Sequence, residues 1–178
     1  MRGRRGIRSV ALLASVAIFG AGALAQGAPL EDSSVKAAIL FNVARFTEWP
    51  AAAFGSEAAP VVLCVLGTDP AGALGRLEGK LLKGRSLSVR QGAEVRLGQC
   101  HIAYISPERP NLGEVLKAVE KLTVLTVSDI DRFARKGGMI GLVNEGGKIR
   151  FEVNLGAAER AGLKLSSRLL QLASIVRN

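Results

Sequence analysis

The side chains best suited to chemistry in this sequence are one histidine and two cysteines. His101 follows Cys100 directly, and Cys64 lies in an apolar run at 61–66. A single histidine excludes every motif that needs two, including the H-E-x-x-H zinc helix. A Cys-His dyad needs both side chains to meet, whereas adjacent strand residues point to opposite faces. We therefore expect no catalytic dyad and no metal site.

Other signatures of catalysis or nucleotide binding are also missing. The sequence contains no G-x-S-x-G nucleophile elbow. The glycine-containing stretch 75–81 fails the P-loop pattern in its spacing and lacks the required Ser or Thr. We expect neither a catalytic residue nor a cofactor, and we do not expect an enzyme.

Two groups of polar residues stand where α/β proteins bind ligands. One follows a predicted strand, at the carboxyl end where such folds hold small molecules. The other precedes a predicted helix, whose free N–H groups attract anions. A structural turn and simple helix capping explain the same residues without a ligand. The candidates are Thr68 and Asp69 in the first group, and Ser166, Ser167 and Arg168 in the second.

The first 25 residues have the pattern of an export signal. Four arginines precede the uncharged run 10–25, and Ala23-Leu24-Ala25 provides the small residues that signal peptidase requires. An uncleaved membrane anchor is the alternative, but sixteen helical residues span about 24 Å, which is less than the roughly 30 Å of a membrane core. We predict cleavage before Gln26, a periplasmic location, and a single domain over residues 26–178.

The charge of the chain changes once that signal is removed. The full 178 residues carry a net charge of +9, but without the four signal arginines 20 lysines and arginines face 15 acids. The remaining basic residues are scattered among acidic ones, and aromatic residues amount to only 4%. Because nucleic-acid surfaces need clustered cations and stacking rings, we exclude a nucleic-acid partner.

Export to an oxidising compartment would allow the two cysteines to form a disulfide. Both lie in or beside predicted buried strands, and neighbouring strands about 4.8 Å apart permit the Cα separation that a disulfide needs. Exported proteins usually pair such cysteines. A Cys64–Cys100 bridge is the first interpretation, and two buried free thiols are the alternative.

Helical and strand-like segments alternate along the mature chain. The pattern predicts a small Rossmann-like α/β sandwich, a mixed sheet with helices on both faces and a C-terminal hairpin plus helix. Ser33 or Ser34 is expected to cap the first helix, and Asn154 a later one. Predicted strands cover 61–66, 87–89, 101–105, 124–127, 139–143 and 148–153, and predicted helices cover 33–46, 110–121 and a stripe of Leu165, Leu169, Leu172, Ala173 and Val176.

The first predicted helix is apolar on more than one face. A helix of this kind must be covered on several sides, either by another segment or by a second subunit. Aromatic residues follow at its end, where Trp49-Pro50 stops the helix. Phe46, Trp49 and Pro50 are candidate partner contacts, because aromatic anchors dominate interfaces. Core packing with helix termination is the competing explanation.

Five blocks of the sequence, in this order, resemble the YfiR-like family. They are KAAILFNVARFTEWP (36–50), VVLCVLGTDP (61–70), CHIAYIS (100–106), TVLTVSDIDRFARKGGMIGLV (123–143) and KIRFEVNLGAAERAGLKLSSRLLQLA (148–173). The resemblance implies a Rossmann-like fold that tends to form homodimers, with family cysteines at Cys64 and Cys100. A further cysteine pair of the founding member is absent here, so redox control through that pair is not implied.

The same resemblance implies a function. Its members are periplasmic, non-enzymatic repressors that hold the periplasmic sensor domain of a membrane-bound diguanylate cyclase inactive. Release raises cyclic di-GMP and favours biofilm. A YfiB-like outer-membrane lipoprotein is implied as a second partner that sequesters the repressor, and some relatives are expected to control a sensor kinase instead. A periplasmic small-ligand sensor of a two-component or transport system is the alternative function.

Overall fold

A computed structural model describes residues 28–92 and 95–176, so the predicted signal peptide lies outside the described residues. The helices are α1 (Ala28–Arg45), α2 (Leu112–Val119), α3 (Leu155–Arg160) and α4 (Ser167–Leu170). The strands are β1 (Thr47–Glu48), β2 (Val61–Leu66), β3 (Leu81–Leu82), β4 (Arg85–Gln91), β5 (Ile102–Ile105), β6 (Leu125–Ser128), β7 (Ile140–Glu145), β8 (Lys148–Asn154), β9 (Lys164–Leu165) and β10 (Ser174–Val176).

Eight of these strands form one mixed sheet in the order β10-β8-β7-β6-β5-β2-β4-β3. The five central strands from β4 to β7 pair in parallel, whereas β3 and β8 join as antiparallel neighbours. Every residue of β2 is buried, as a continuous apolar run in a parallel sheet covered on both faces must be. The sandwich and mixed sheet predicted from the sequence are therefore confirmed.

Alternate residues of β2 enter two separate hydrophobic cores. Val61, Leu63 and Val65 pack with α1 and α3 on one face of the sheet. Val62, Cys64 and Leu66 pack with α2 on the other. Helices consequently cover both faces, because a strand side chain points to the opposite face from its neighbour.

The second core contains the Cys64–Cys100 disulfide, which confirms the first interpretation of the cysteines. The Cα atoms lie 5.8 Å apart, and the two residues are 36 positions apart in the chain. Cys64 lies in β2, and Cys100 lies two residues before the start of β5, the parallel neighbour of β2. The bridge therefore joins the two strands at the centre of the sheet.

The C-terminal hairpin and a helix after it are confirmed, but the predicted extent of the last helix, from Leu165 to Val176, is wrong. The strands β7 and β8 pair from Ile140↔Val153 to Glu145↔Lys148, around the turn residues Gly146 and Gly147 with positive φ. α4 covers only Ser167–Leu170 of that stretch, and Leu172 is 73% exposed. β10 instead pairs with the free edge of β8, which satisfies backbone groups that a helix would leave open at that edge.

Two cap predictions differ in outcome. Asn154 accepts the Ala157 N–H at its side-chain oxygen (3.0 Å) and caps α3 as predicted. Ser33 and Ser34 do not begin α1, because the helix already starts at Ala28. Pro29 lies in the first turn of this helix, where its missing N–H removes no helical hydrogen bond, so the helix can begin before the serines.

α1 is covered on one side within the single chain. Leu40 and Val43 are completely buried against the sheet, whereas Val35 is 39% exposed and Ala38 is also exposed. Half-buried Ile39 and Phe41 extend the apolar surface around the helix. A second subunit that covers the exposed side of α1 stays a prediction.

Removing the disulfide tests what it contributes to stability. We expect the double variant Cys64→Ala/Cys100→Ala to lose up to about 4 kcal/mol of unfolding free energy, because the 36-residue loop regains entropy in the unfolded chain. Urea unfolding followed by circular dichroism measures the loss. Two reactive thiols in the unreduced, denatured wild-type protein would contradict the bridge.

Candidate functional site

The segment that leaves α1 is hydrogen-bonded both to the end of that helix and to the region of β9. Thr47 is fully buried, and its hydroxyl donates to the Val43 carbonyl (2.8 Å) at the end of the helix. β1 pairs antiparallel with β9, and the Phe46 carbonyl accepts the Ser166 N–H (3.0 Å). The chain therefore passes from α1 into the following loop along a defined path.

His101 holds that loop against the sheet. The Val62 N–H donates to its Nδ1 (3.0 Å), so the ring proton must be on Nε2, which donates to the Ala53 carbonyl (3.0 Å). The ring of Phe54 stacks on the imidazole with centroids 4.5 Å apart. One histidine thus joins the start of β2 to the loop after Trp49-Pro50.

Burial lowers the pKa of His101, and the nearby Arg85 guanidinium lowers it further. The Ala53 carbonyl acts in the opposite direction without reversing the shift. The imidazole is only 8% exposed. Protonation of Nδ1 would place a donor against the Val62 N–H, so the neutral ring is the form that fits this site.

Trp49 and Arg85 complete the same arrangement. The Trp49 indole N–H donates to the His101 carbonyl (3.2 Å). Arg85 lies with its guanidinium carbon 4.0 Å from the Phe54 ring centroid, a cation–π contact. The imidazole, the Phe54 ring and the Arg85 guanidinium are therefore stacked in this order, and Trp49 is bonded to the backbone of the same histidine.

These side chains border a surface groove of about 330 Å³, at the end of the sheet where β3 and β4 lie. Its lining is aromatic, aliphatic and cationic, with one acid in the described part of the chain. The lining residues are Thr47, Glu48, Trp49, Phe54, Val61, Leu82, Lys83 and Arg85. We call this surface the Trp49 groove.

The three predicted partner contacts occupy different positions. Trp49 lines the groove, Pro50 is exposed beside it, and Phe46 is half-buried against the core with Arg45 5.7 Å from its ring centroid. The sequence did not indicate Phe54, Lys83 or Arg85. No local spacing could have shown them, because Lys83 lies in the β3–β4 turn and Arg85 begins β4, about thirty residues beyond Phe54.

Thr68 and Asp69 lie at the carboxyl end of β2, as predicted. The Asp69 carboxylate accepts the Leu74 N–H (2.9 Å) and the Gly75 N–H (2.8 Å), so it caps the following turn. Thr68 hydrogen-bonds Glu108, and this bond, together with one from Ser106, lowers the pKa of that carboxyl. A ligand at these residues stays a prediction, and their hydrogen bonds already support the turn.

Ser166, Ser167 and Arg168 stand at the start of α4, a helix of four residues. The Ser166 hydroxyl accepts the Leu169 N–H (3.3 Å) and caps this helix. Ser167 and Arg168 are exposed. An anion at this position also stays a prediction.

A buried polar cluster lies at the carboxyl edge of the central strands. Burial and the neighbouring Asp129 raise the pKa of Tyr104, so its hydroxyl stays protonated and donates to Asp129 (2.7 Å). Lys36 donates to the same carboxylate (2.8 Å), which outweighs the effect of burial and raises the lysine pKa. In residues 28–92 and 95–176, no group of three or more His, Cys, Asp or Glu is arranged to hold a metal ion.

Fold and site together define a disulfide-linked, Rossmann-like α/β protein with an aromatic and cationic groove beside its central strands. The family model described as YfiR/HmsC-like matches residues 33–174. The chain therefore belongs to the YfiR/HmsC-like family. Membership implies a periplasmic, non-catalytic regulator of a diguanylate cyclase. No curated protein matches the chain.

Within residues 28–92 and 95–176, no helix combines the length and the apolar character needed to cross a bilayer.

His101 makes stability depend on pH. Because its pKa is lower in the folded protein than the unfolded value near 6.5, the folded state binds fewer protons between the two values. The contribution of His101 to the unfolding free energy should be fully present above about pH 6.5 and should decrease as the pH falls toward the pKa of the folded protein. Urea unfolding at several pH values, followed by the fluorescence of Trp49, the single tryptophan, measures this change.

The variant His101→Gln is the matched control. Glutamine keeps one acceptor and one donor but does not titrate in this range. Its stability should change less than that of the wild type between pH 6.5 and 5.5. An equal slope in both proteins would contradict the assignment to His101, the single histidine.

Proposed function

We propose that this protein is a periplasmic repressor that binds the periplasmic sensor domain of a membrane-bound diguanylate cyclase and holds the enzyme inactive. The mature protein begins at Gln26 and forms one domain. The Trp49 groove is the docking surface, and a YfiB-like outer-membrane lipoprotein competes for the repressor. Family membership supports the class of partner, and the groove supports the place of contact.

One observation carries the choice of surface. Trp49 is half-buried, and its ring lines a groove while its N–H is bonded to the His101 carbonyl. Aromatic residues held in fixed positions at a groove lose little conformational entropy when a partner binds, which is why they dominate interfaces. Phe54 extends this apolar surface and is itself held by the imidazole.

The mechanism is differential binding. A repressor shifts its target toward the inactive state only if it contacts that state better than the active one. Moving a two-state equilibrium from 1:99 to 99:1 requires about 10⁴-fold preference. A rigid groove suits this task, because a surface that adapted equally to both states would shift nothing.

Deleting the gene tests the function. We expect cyclic di-GMP to rise in the deletion strain and to return when the full chain is supplied. Co-purification of the exported protein with membrane fractions should then identify the cyclase. An unchanged cyclic di-GMP level after deletion would contradict repression of a cyclase.

The variant Trp49→Ala tests the docking surface. We expect it to lose repression, with partner binding weakened at least about tenfold, because an anchoring ring is removed. Its loss of the His101 hydrogen bond should also cost about 1–3 kcal/mol of stability. Isothermal titration with the cyclase domain and thermal melting separate the two effects.

Leu172→Ala is the matched control, since Leu172 is a large apolar residue that is 73% exposed near β10, at the other edge of the sheet. This variant should bind and repress like the wild type. Full repression by folded Trp49→Ala, or loss of repression in Leu172→Ala, would move the docking surface away from the groove.

A further inference from the structure

Arg85 is held in one position at the Trp49 groove. Its Nη1 donates to the carbonyls of Ser56 and Ala59, both at 2.8 Å, and its guanidinium lies over the ring of Phe54. A free arginine loses up to about 2 kcal/mol of rotamer entropy when it is fixed. Here the fold has already fixed the side chain, so a partner would not bear this cost.

Three of the five guanidinium donors of Arg85 have no acceptor in the part of the chain that the structure describes. Nη1 supplies both of its N–H groups to the two carbonyls, whereas Nε and Nη2 have no acceptor among the described residues. Together, Nε and Nη2 can present the parallel pair of N–H groups that a carboxylate accepts with its two oxygens. The arginine is half-buried, which strengthens a charge-assisted bond relative to one in water.

Lys83 adds a second cation at the exposed rim. Its ammonium donates to the Thr47 carbonyl (2.8 Å), a neutral acceptor. The ion pairs within residues 28–92 and 95–176 involve Lys36, Arg132, Arg135 and Arg150, and not the cations of the groove. Glu48 is the acid that lines the groove there, so the lining carries one excess positive charge.

From this geometry we infer that the Trp49 groove binds an acidic segment of the partner protein. One Asp or Glu carboxylate meets Nε and Nη2 of Arg85, and an adjacent apolar side chain contacts Trp49 and Phe54. The groove volume of about 330 Å³ suits a short segment, because it is at the lower end of pockets that hold small ligands. The inference rests on the proposed function, which supplies the partner.

The experiment measures affinity between the mature protein and the purified periplasmic domain of the cyclase that co-purifies with it. We expect Arg85→Glu to weaken binding at least about tenfold, because it places like charges together. Arg85→Lys should bind with intermediate affinity, since it keeps the charge but loses the two-pronged donor. Wild-type binding should also weaken as salt increases.

Two further variants keep the test decisive. Lys83→Glu changes an exposed side chain, so it reports the charge of the groove even if Arg85→Glu fails to fold. Arg90→Glu makes the same charge reversal in β4 outside the groove lining, at an exposed residue bonded to Gln99. It should bind like the wild type. Circular dichroism melting verifies that each variant is folded.

The outcomes separate the two proposals. If no cyclase domain co-purifies and deletion leaves cyclic di-GMP unchanged, the proposed function fails. If the domain binds the wild type but binds folded Lys83→Glu and folded Arg85→Glu equally well, the acidic segment is wrong while the repressor function stands. Replacement of an Asp or Glu of the cyclase domain by Lys should restore binding to Arg85→Glu, which identifies the contacting carboxylate.

Discussion

The groove depends on the two hydrogen bonds that the neutral imidazole of His101 makes. The imidazole accepts the Val62 N–H of the central strand β2 and donates to the Ala53 carbonyl of the loop, so one ring satisfies two backbone groups. An unsatisfied buried group costs about 1–3 kcal/mol. Its own carbonyl receives the indole N–H of Trp49, and its face receives Phe54. Arg85 holds the same loop from β4 by donating to the Ser56 and Ala59 carbonyls, so the histidine and the arginine together fix one wall of the groove.

The arrangement suits recognition between proteins. A histidine with both ring nitrogens bonded to backbone groups is not free to exchange protons with a substrate. Its role is to position Trp49 and Phe54, and the Phe54 ring in turn contacts the Arg85 guanidinium. The disulfide lies next to this site, since Cys100 precedes His101, and it fixes the start of β5 to β2. The loop wall of the groove is therefore attached, through His101, to the two strands that the disulfide links.

Much of the fold follows from the sequence for identifiable reasons. The uniformly apolar run of β2 predicts a strand buried on both faces, and Asn144 to Gly147 predict a hairpin turn by their φ preferences. The C-terminal region was predicted less well. Leu165 to Val176 show helical spacing, but pairing with the edge of β8 is a nonlocal contact that periodicity does not contain. Of the predicted partner contacts, Trp49 lines the groove, and its contact with a partner stays a prediction.

The sequence by itself determined the alternation of elements, the buried central strands, the cysteine pair and the family. Only the tertiary structure decided which side chains meet. Trp49, Phe54, Arg85 and His101 come from three distant parts of the chain, and no local pattern relates them. They meet because parallel pairing of β2 with both β4 and β5 brings the three segments to the same end of the sheet. Strand order is a property of the whole sheet, whereas periodicity reports only what neighbouring residues share.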